Sequence, residues 1–236
     1  AHKHNCLVVV DAVTSLGGSE LRVDEWGIDA IYSGTQKCLS CIPGLSPVSF
    51  SERAVERIKQ RTQKNYSWFL DLNLVMDYWG ANVKRTYHHT APVNSLYALH
   101  ESLLILKEEG IEAAWERHAH NHQALVIGLE ALGLELLVNQ DIRLPQLNAV
   151  NIPDGIDDAT VRSHLLNEFD LELGAGLGKF AGNAWRIGLM GNGCSQKNVN
   201  YCIASLGTVL KEQGVDCDTE HALKSVESFY LSLQTA

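Results

Sequence analysis

Cys6-Leu7-Val8-Val9-Val10-Asp11 is an unbroken apolar run, half of it valine, that ends on a carboxylate. A run without alternation is the pattern of a strand buried on both faces of a parallel sheet, and ligands bind at the carboxyl end of such strands. Two more strands are predicted, at 28–33 ending in Gly34 and at 45–50 after the Pro43-Gly44 turn. That spacing fits a layered α/β domain. A helix is predicted from Ser51 through Ala54, Val55 and Ile58, followed by a loop rich in Trp and Tyr up to His89. Residues 92–109 read as a long helix closed by Gly110, and we place the domain boundary there, between 1–109 and 110–236.

The second part begins with a helical pattern over 111–132 that stops at Gly133. Strands are then predicted at 134–138, 148–152 and 185–189, with helices at 157–168 and 195–213 and a weakly amphipathic tail at 219–234. This interleaving suggests a smaller α+β domain of sheet against helices.

A chain of 236 residues can bury roughly 70% of its unfolded surface, so it needs no disulfide or metal staple to fold. With 28 acidic and 19 basic residues its charge of −9 repels phosphate polymers and anionic lipid, which argues against nucleic acid as a partner. Cys6 to Val10 is the longest apolar run and far too short to span a membrane. With no signal-like segment and six dispersed cysteines read as reduced thiols, the expected location is cytoplasmic. Ala1-His2-Lys3-His4-Asn5 opens without methionine and leads directly into a strand that has no partner upstream. Parallel strands need neighbours and crossovers, so the chain is expected to be the C-terminal portion of something larger.

Ser33-Gly34-Thr35-Gln36-Lys37 places a lysine in a small-residue turn just past a strand, 26 positions after Asp11. A partly desolvated lysine at a strand-end cleft can serve as an amine nucleophile toward carbonyls. A carboxylate on the neighbouring strand is what a protonated pyridine nitrogen needs, and the pair suggests pyridoxal phosphate. On spacing alone, the alternatives are a turn-forming Asp and a solvated Lys.

The motif Leu7-Val8-Val9-Val10-Asp11-Ala12-Val13-Thr14-Ser15-Leu16-Gly17-Gly18 does not stand alone. With Gly27-Ile28-Asp29, Tyr32 to Lys37, Tyr87-His88-His89-Thr90 and Trp185-Arg186-Ile187-Gly188-Leu189-Met190-Gly191, it resembles the alanine–glyoxylate and serine–pyruvate aminotransferases. These are class V, fold-type-I pyridoxal-phosphate enzymes, and the likeness runs in order to about Gln213. It implies that residues 1–109 are the C-terminal part of a cofactor-binding large domain with a mostly parallel sheet. It also implies transamination from alanine or serine to glyoxylate or pyruvate through a Schiff base on Lys37. Asp11 would pair with the ring nitrogen, Val13 would pack under the ring, and Gln36 would bond the phenolic oxygen or phosphate. Tyr87 and Thr90 would reach the phosphate of a neighbouring subunit in a homodimer with shared sites, and Arg186 would clamp the substrate carboxylate. The family's N-terminal phosphate cradle and stacking aromatic are missing from this sequence, and the segment after Gly214 matches nothing we recognise in the family.

Competing readings are a non-catalytic half that folds without cofactor, a cysteine desulfurase and a hydroxykynurenine transaminase. Desulfurases usually carry His where Gln36 stands. Cys38-Leu39-Ser40-Cys41 lacks a second C-x-x-C, so packing is preferred over a metal or redox role. His118, His120 and His122 lie on one helix without an HExxH pattern and are read as solvated.

Overall fold

The computed structural model describes residues 1–79, 84 and 86–235. Its first sheet has the order β1 (Val9–Asp11), β2 (Ala30–Tyr32), β3 (Val48–Phe50). β1 and β2 run parallel, with Asp11 opposite Tyr32, whereas β3 returns antiparallel to β2. The sheet is therefore mixed rather than mostly parallel. Residues 33–47 fold straight back along β2 without a crossover helix, and a direct return can only give an antiparallel neighbour. β1 is also shorter than its apolar run. It forms one edge of this sheet, and its Val9 is 65% exposed. A strand buries both faces only where something packs on each of them. The buried cluster beneath this sheet is small: Ala12, Ile28 and Ile31, with Val10 and Leu16 against them.

Helix α1 (Glu52–Lys59) starts where Ser51 Oγ accepts the Ala54 amide at 3.1 Å. The expected aromatic loop instead contains α2 (Leu72–Trp79), of which only Val75 is buried; positions 80–83 and 85 of that stretch lie outside the described residues. Helix α3 (Val93–Glu109) ends on Gly110, and α4 (Ile111–Ala131) follows at once. At φ +88°, Gly110 takes a conformation that costs other residues dearly, so the stop was readable from its sequence.

The second sheet is antiparallel throughout, in the order β4 (Leu147–Asn151), β6 (Ala184–Gly188), β5 (Gly174–Ala175). Asn148 faces Ile187 and Val150 faces Trp185, and all four are buried against the helices. The intervening pair, Ala149 and Arg186, points to the other face. The strand predicted at 134–138 is reduced to a bridge between Leu136 and Val150, because the chain bends away into a turn capped by Asn139 Oδ1. Helices α5 (Asp158–Phe169), α6 (Gln196–Glu212) and α7 (Thr219–Leu233) complete the larger core with α4. The tail helix is firmly seated, with Ala222 and Val226 fully buried.

Candidate active site

The lysine sits at the tip of the loop joining β2 to β3. Ladder bonds continue past the strands, from the Ser33 amide to Pro47 O at 2.9 Å and from the Thr35 amide to Leu45 O at 3.2 Å. Fully buried Thr35 donates its hydroxyl to Ile42 O at 2.8 Å and accepts the Cys41 amide on its carbonyl. Only residues 36–40 remain to form the tip, and the Ser40 amide donates to Lys37 O at 2.9 Å. Lys37 is half-buried there.

This turn is fastened to the segment that follows β1. Ser33 Oγ donates to Ala12 O at 2.8 Å, and Cys38 Sγ donates to Thr14 O at 3.1 Å. The close approach depends on glycine: a Cβ on Gly18 would lie 2.7 Å from Cys38 Sγ, and one on Gly17 would lie 3.2 Å from Leu39 Cδ2. Asp11 and Lys37 are thus carried by two segments locked together at the carboxyl ends of paired parallel strands.

Asp11 is exposed at the end of β1, with Oδ1 accepting the Val13 amide and Oδ2 accepting the Tyr32 hydroxyl, each at 2.9 Å. Tyr32 in turn is pushed up from the ordinary phenol range by that carboxylate. Sequence reasoning missed Tyr32 as the orienter of Asp11. A parallel register that sets the two residues side by side was the only available signal. Val13 is half-buried; Gln36 is exposed and folds back over Gly34, where a Cβ would meet its Oε1 at 2.6 Å.

Arg186 projects from β6 away from the core and donates Nε to Ala175 O at 2.7 Å. Its two terminal nitrogens carry no partner among the described residues. Gly174 leaves the room they occupy, since a Cβ there would lie 3.2 Å from Nη2. Tyr87 and Thr90 bond to each other through their hydroxyls at 2.7 Å, with Tyr78 edge-on to Tyr87. Both are exposed, and these contacts come from α2 and the stretch between α2 and α3.

One reading from sequence needs correction. His118 is 1% exposed and His122 half-buried, because the inward face of α4 runs through Ala114, His118, Asn121, Leu125 and Gly128. Burial lowers both imidazoles from their usual range. Among the described residues no group of three His, Cys, Asp or Glu side chains could hold a metal ion. Burial pushes the Cys38 thiol up to about 11, away from the thiolate form that metal or redox chemistry requires.

The family model described as Aminotransferase class-V matches residues 1–185. Alanine–glyoxylate aminotransferase of Callithrix jacchus is 42% identical over 212 residues, which are 89% of this chain and 51% of that protein. The crystal structure of ureidoglycine–glyoxylate aminotransferase from Bacillus subtilis superposes with a TM-score of 0.92 at 39% identity, covering 97% of this chain and 59% of that one. Alanine–glyoxylate aminotransferase from Nostoc sp. gives a TM-score of 0.85 at 46% identity, covering 89% and 55%. The chain spans just over half the length of these relatives. Coverage of 97% cannot be reached without most of α7, so the segment after Gly214 has a structural counterpart after all. With a family match over more than three-quarters of its length, the chain belongs to the class-V aminotransferases.

Proposed function

We propose that this chain carries the lysine-bearing part of a pyridoxal-phosphate-dependent aminotransferase site, which moves an amino group from alanine or serine to glyoxylate or pyruvate. One observation carries the reading: the turn holding Lys37 is bonded, through Ser33 and Cys38, to the residues directly following Asp11. The donor set fits the cofactor. An acid whose oxygens accept an amide hydrogen on one side and a phenol on the other is fixed in orientation, and a carboxylate at a strand end is what a protonated ring nitrogen pairs with. When bound, pyridoxal phosphate supplies an aldehyde for an amine and an electron-withdrawing ring that stabilises charge developing at the substrate α-carbon.

The chain's own residues supply the rest. Asp11 would pair with the protonated ring nitrogen, Val13 would pack against the ring, and Gln36 would donate to a cofactor oxygen. Lys37 Nζ would be the amine that holds the cofactor and the base that takes the substrate α-proton. Arg186 has its Nε committed to Ala175, so it binds the substrate carboxylate through Nη1 and Nη2, a planar pair that a lysine cannot replace. Tyr87 and Thr90, exposed and mutually bonded, serve the phosphate of a second copy in a homodimer.

Similarity to the Bacillus enzyme through α7 favours a second reading in which an (S)-ureidoglycine is the amino donor, with glyoxylate as acceptor in both. In the protein bearing this chain, borohydride reduction with pyridoxal phosphate should label the peptide holding Lys37, and K37A should abolish both labelling and transamination. Turnover retained by K37A overturns the proposal. Rates with alanine, serine and (S)-ureidoglycine then separate the two donor readings.

A further inference from the structure

Outside the residues assigned above, α4 holds two side chains that both bond to the turn after β6. His118 Nε2 accepts the Gly191 amide at 2.9 Å, so the ring proton sits on Nδ1 and is donated to Ala114 O at 2.6 Å. Arg117 Nη1 donates to Gly191 O at 2.8 Å and to Cys194 O at 2.9 Å. Its Nε and Nη2 grip the Glu109 carboxylate at the end of α3. Both the N–H and the C=O of Gly191 are therefore held by one helix.

The same glycine presses on the lysine turn. At φ +53°, a Cβ on Gly191 would lie 2.1 Å from Ser40 Oγ, 3.0 Å from Cys38 O and 3.1 Å from Lys37 O. The next amide, Asn192 N–H, donates to Ser40 Oγ at 2.8 Å. Five residues before Gly191 in the sequence is Arg186, on the strand that feeds this turn.

We propose that His118 and Arg117 are positioning residues: by clamping the Gly191 turn against residues 37–40, they set where the Lys37 amine stands relative to the Arg186 guanidinium. The catalytic sense of this rests on the function proposed above; the mechanical coupling does not. A base that must meet one C–H bond is sensitive to small displacements, and a misplacement of about 1 Å can cost about a hundredfold in rate. Carboxylate capture by Arg186 tolerates more.

The test compares H118L, which fills the space without an acceptor, with H118Q, whose amide oxygen can still receive the Gly191 hydrogen. S40G is a second variant on the opposite side; it suits the +58° φ of Ser40 and removes the hydroxymethyl group that accepts the Asn192 amide. Hydrogen exchange of the cofactor-free protein is followed in the peptides covering 189–194 and 37–41. H118L should speed exchange in both by at least about tenfold, H118Q should restore it to within about threefold, and S40G should raise both more weakly. With substrates, H118L should lower kcat about tenfold while changing KM for the amino donor less than about threefold. Faster exchange at 189–194 with none at 37–41, in H118L and S40G alike, overturns the coupling. Coupled exchange together with turnover retained by K37A would instead remove only the catalytic sense. If H118L fails to fold, S40G alone decides, since Ser40 is exposed and its loss leaves the α4 contacts intact.

Discussion

Asp29 is 3% exposed, and three groups converge on its carboxylate: the Val8 amide at 2.8 Å, Ser51 Oγ at 3.0 Å and His2 Nε2 at 2.7 Å. One side chain thereby ties the lead into β1, the cap of α1 and the chain's opening turn. The Val8 amide first, then His2, hold its pKa at about 2, below the ordinary 3.8 of a free aspartate. The unfolded chain therefore takes up this proton first as pH falls. The resulting stabilisation is complete above about 3.8 and is lost as pH drops toward 2. D29N should lower the urea midpoint at pH 7 and narrow the gap to wild type across that acid window; parallel curves for the two proteins would show that Asp29 contributes nothing to it. Asp11 was legible in the sequence as a candidate functional acid because an apolar run stops on it. Asp29, inside a predicted strand, gave no such sign, since its partners come from positions 21, 22 and 27 residues away.

Among the elements, the helices that stop on glycine were readable, because Gly110 and Gly133 lie at φ +88° and +81°, where other residues rarely go. α2 was hidden by its Trp and Tyr content and by having one buried residue, and β5 is two residues long and exists only because β6 offers it an edge. The tail's weak pattern concealed a close three-helix contact. Gly128 on α4 sits where a Cβ would lie 2.7 Å from Ile203 Cδ1 of α6 and 2.9 Å from Val226 Cγ2 of α7. Overpacking a core costs about 1–3 kcal/mol, and alanine regains up to about 1 kcal/mol in helix propensity, so G128A should be destabilised by about 1–2 kcal/mol. Thermal melts that match wild type would mean the helices can separate freely. Tyr230 makes a second tie from α7, donating to Asn121 Oδ1 at 2.6 Å, while Asn121 Nδ2 donates to Arg117 O at 2.8 Å. Y230F leaves that buried acceptor without its donor. It should cost about 1–3 kcal/mol in a chemical-denaturation series, a loss that no surface substitution on α7 would reproduce.

At the scale of the molecule, the residues proposed for chemistry were legible and the contacts that hold them were not. Lys37, Asp11 and Arg186 occupy sequence motifs, whereas their supports, Tyr32, Cys38 against Thr14, and the Gly191 clamp, join segments 21 to 152 positions apart. Such pairings leave no local period to read. They do leave a signature in acid. His118 is buried beside Arg117 and Glu109, and His122 is half-buried on Asn148 Oδ1 with Arg143 nearby. Desolvation is the main cause in each, with the neighbouring arginine adding to it and the hydrogen-bond partner opposing. Folded values below the ordinary 6.5 mean that the unfolded chain binds these protons first. Their stabilisation is complete above about 6.5 and erodes as pH falls through the lowered folded values, well above the window that belongs to Asp29. Wild type should therefore lose stability between pH 7 and pH 5 while Asp29 is still fully ionised. In the H118Q/H122Q double variant, which has no imidazole to charge at either place, urea midpoints should decline less over that range, with the lower acid transition unchanged. An equally steep decline in the double variant would assign the loss to groups other than His118 and His122.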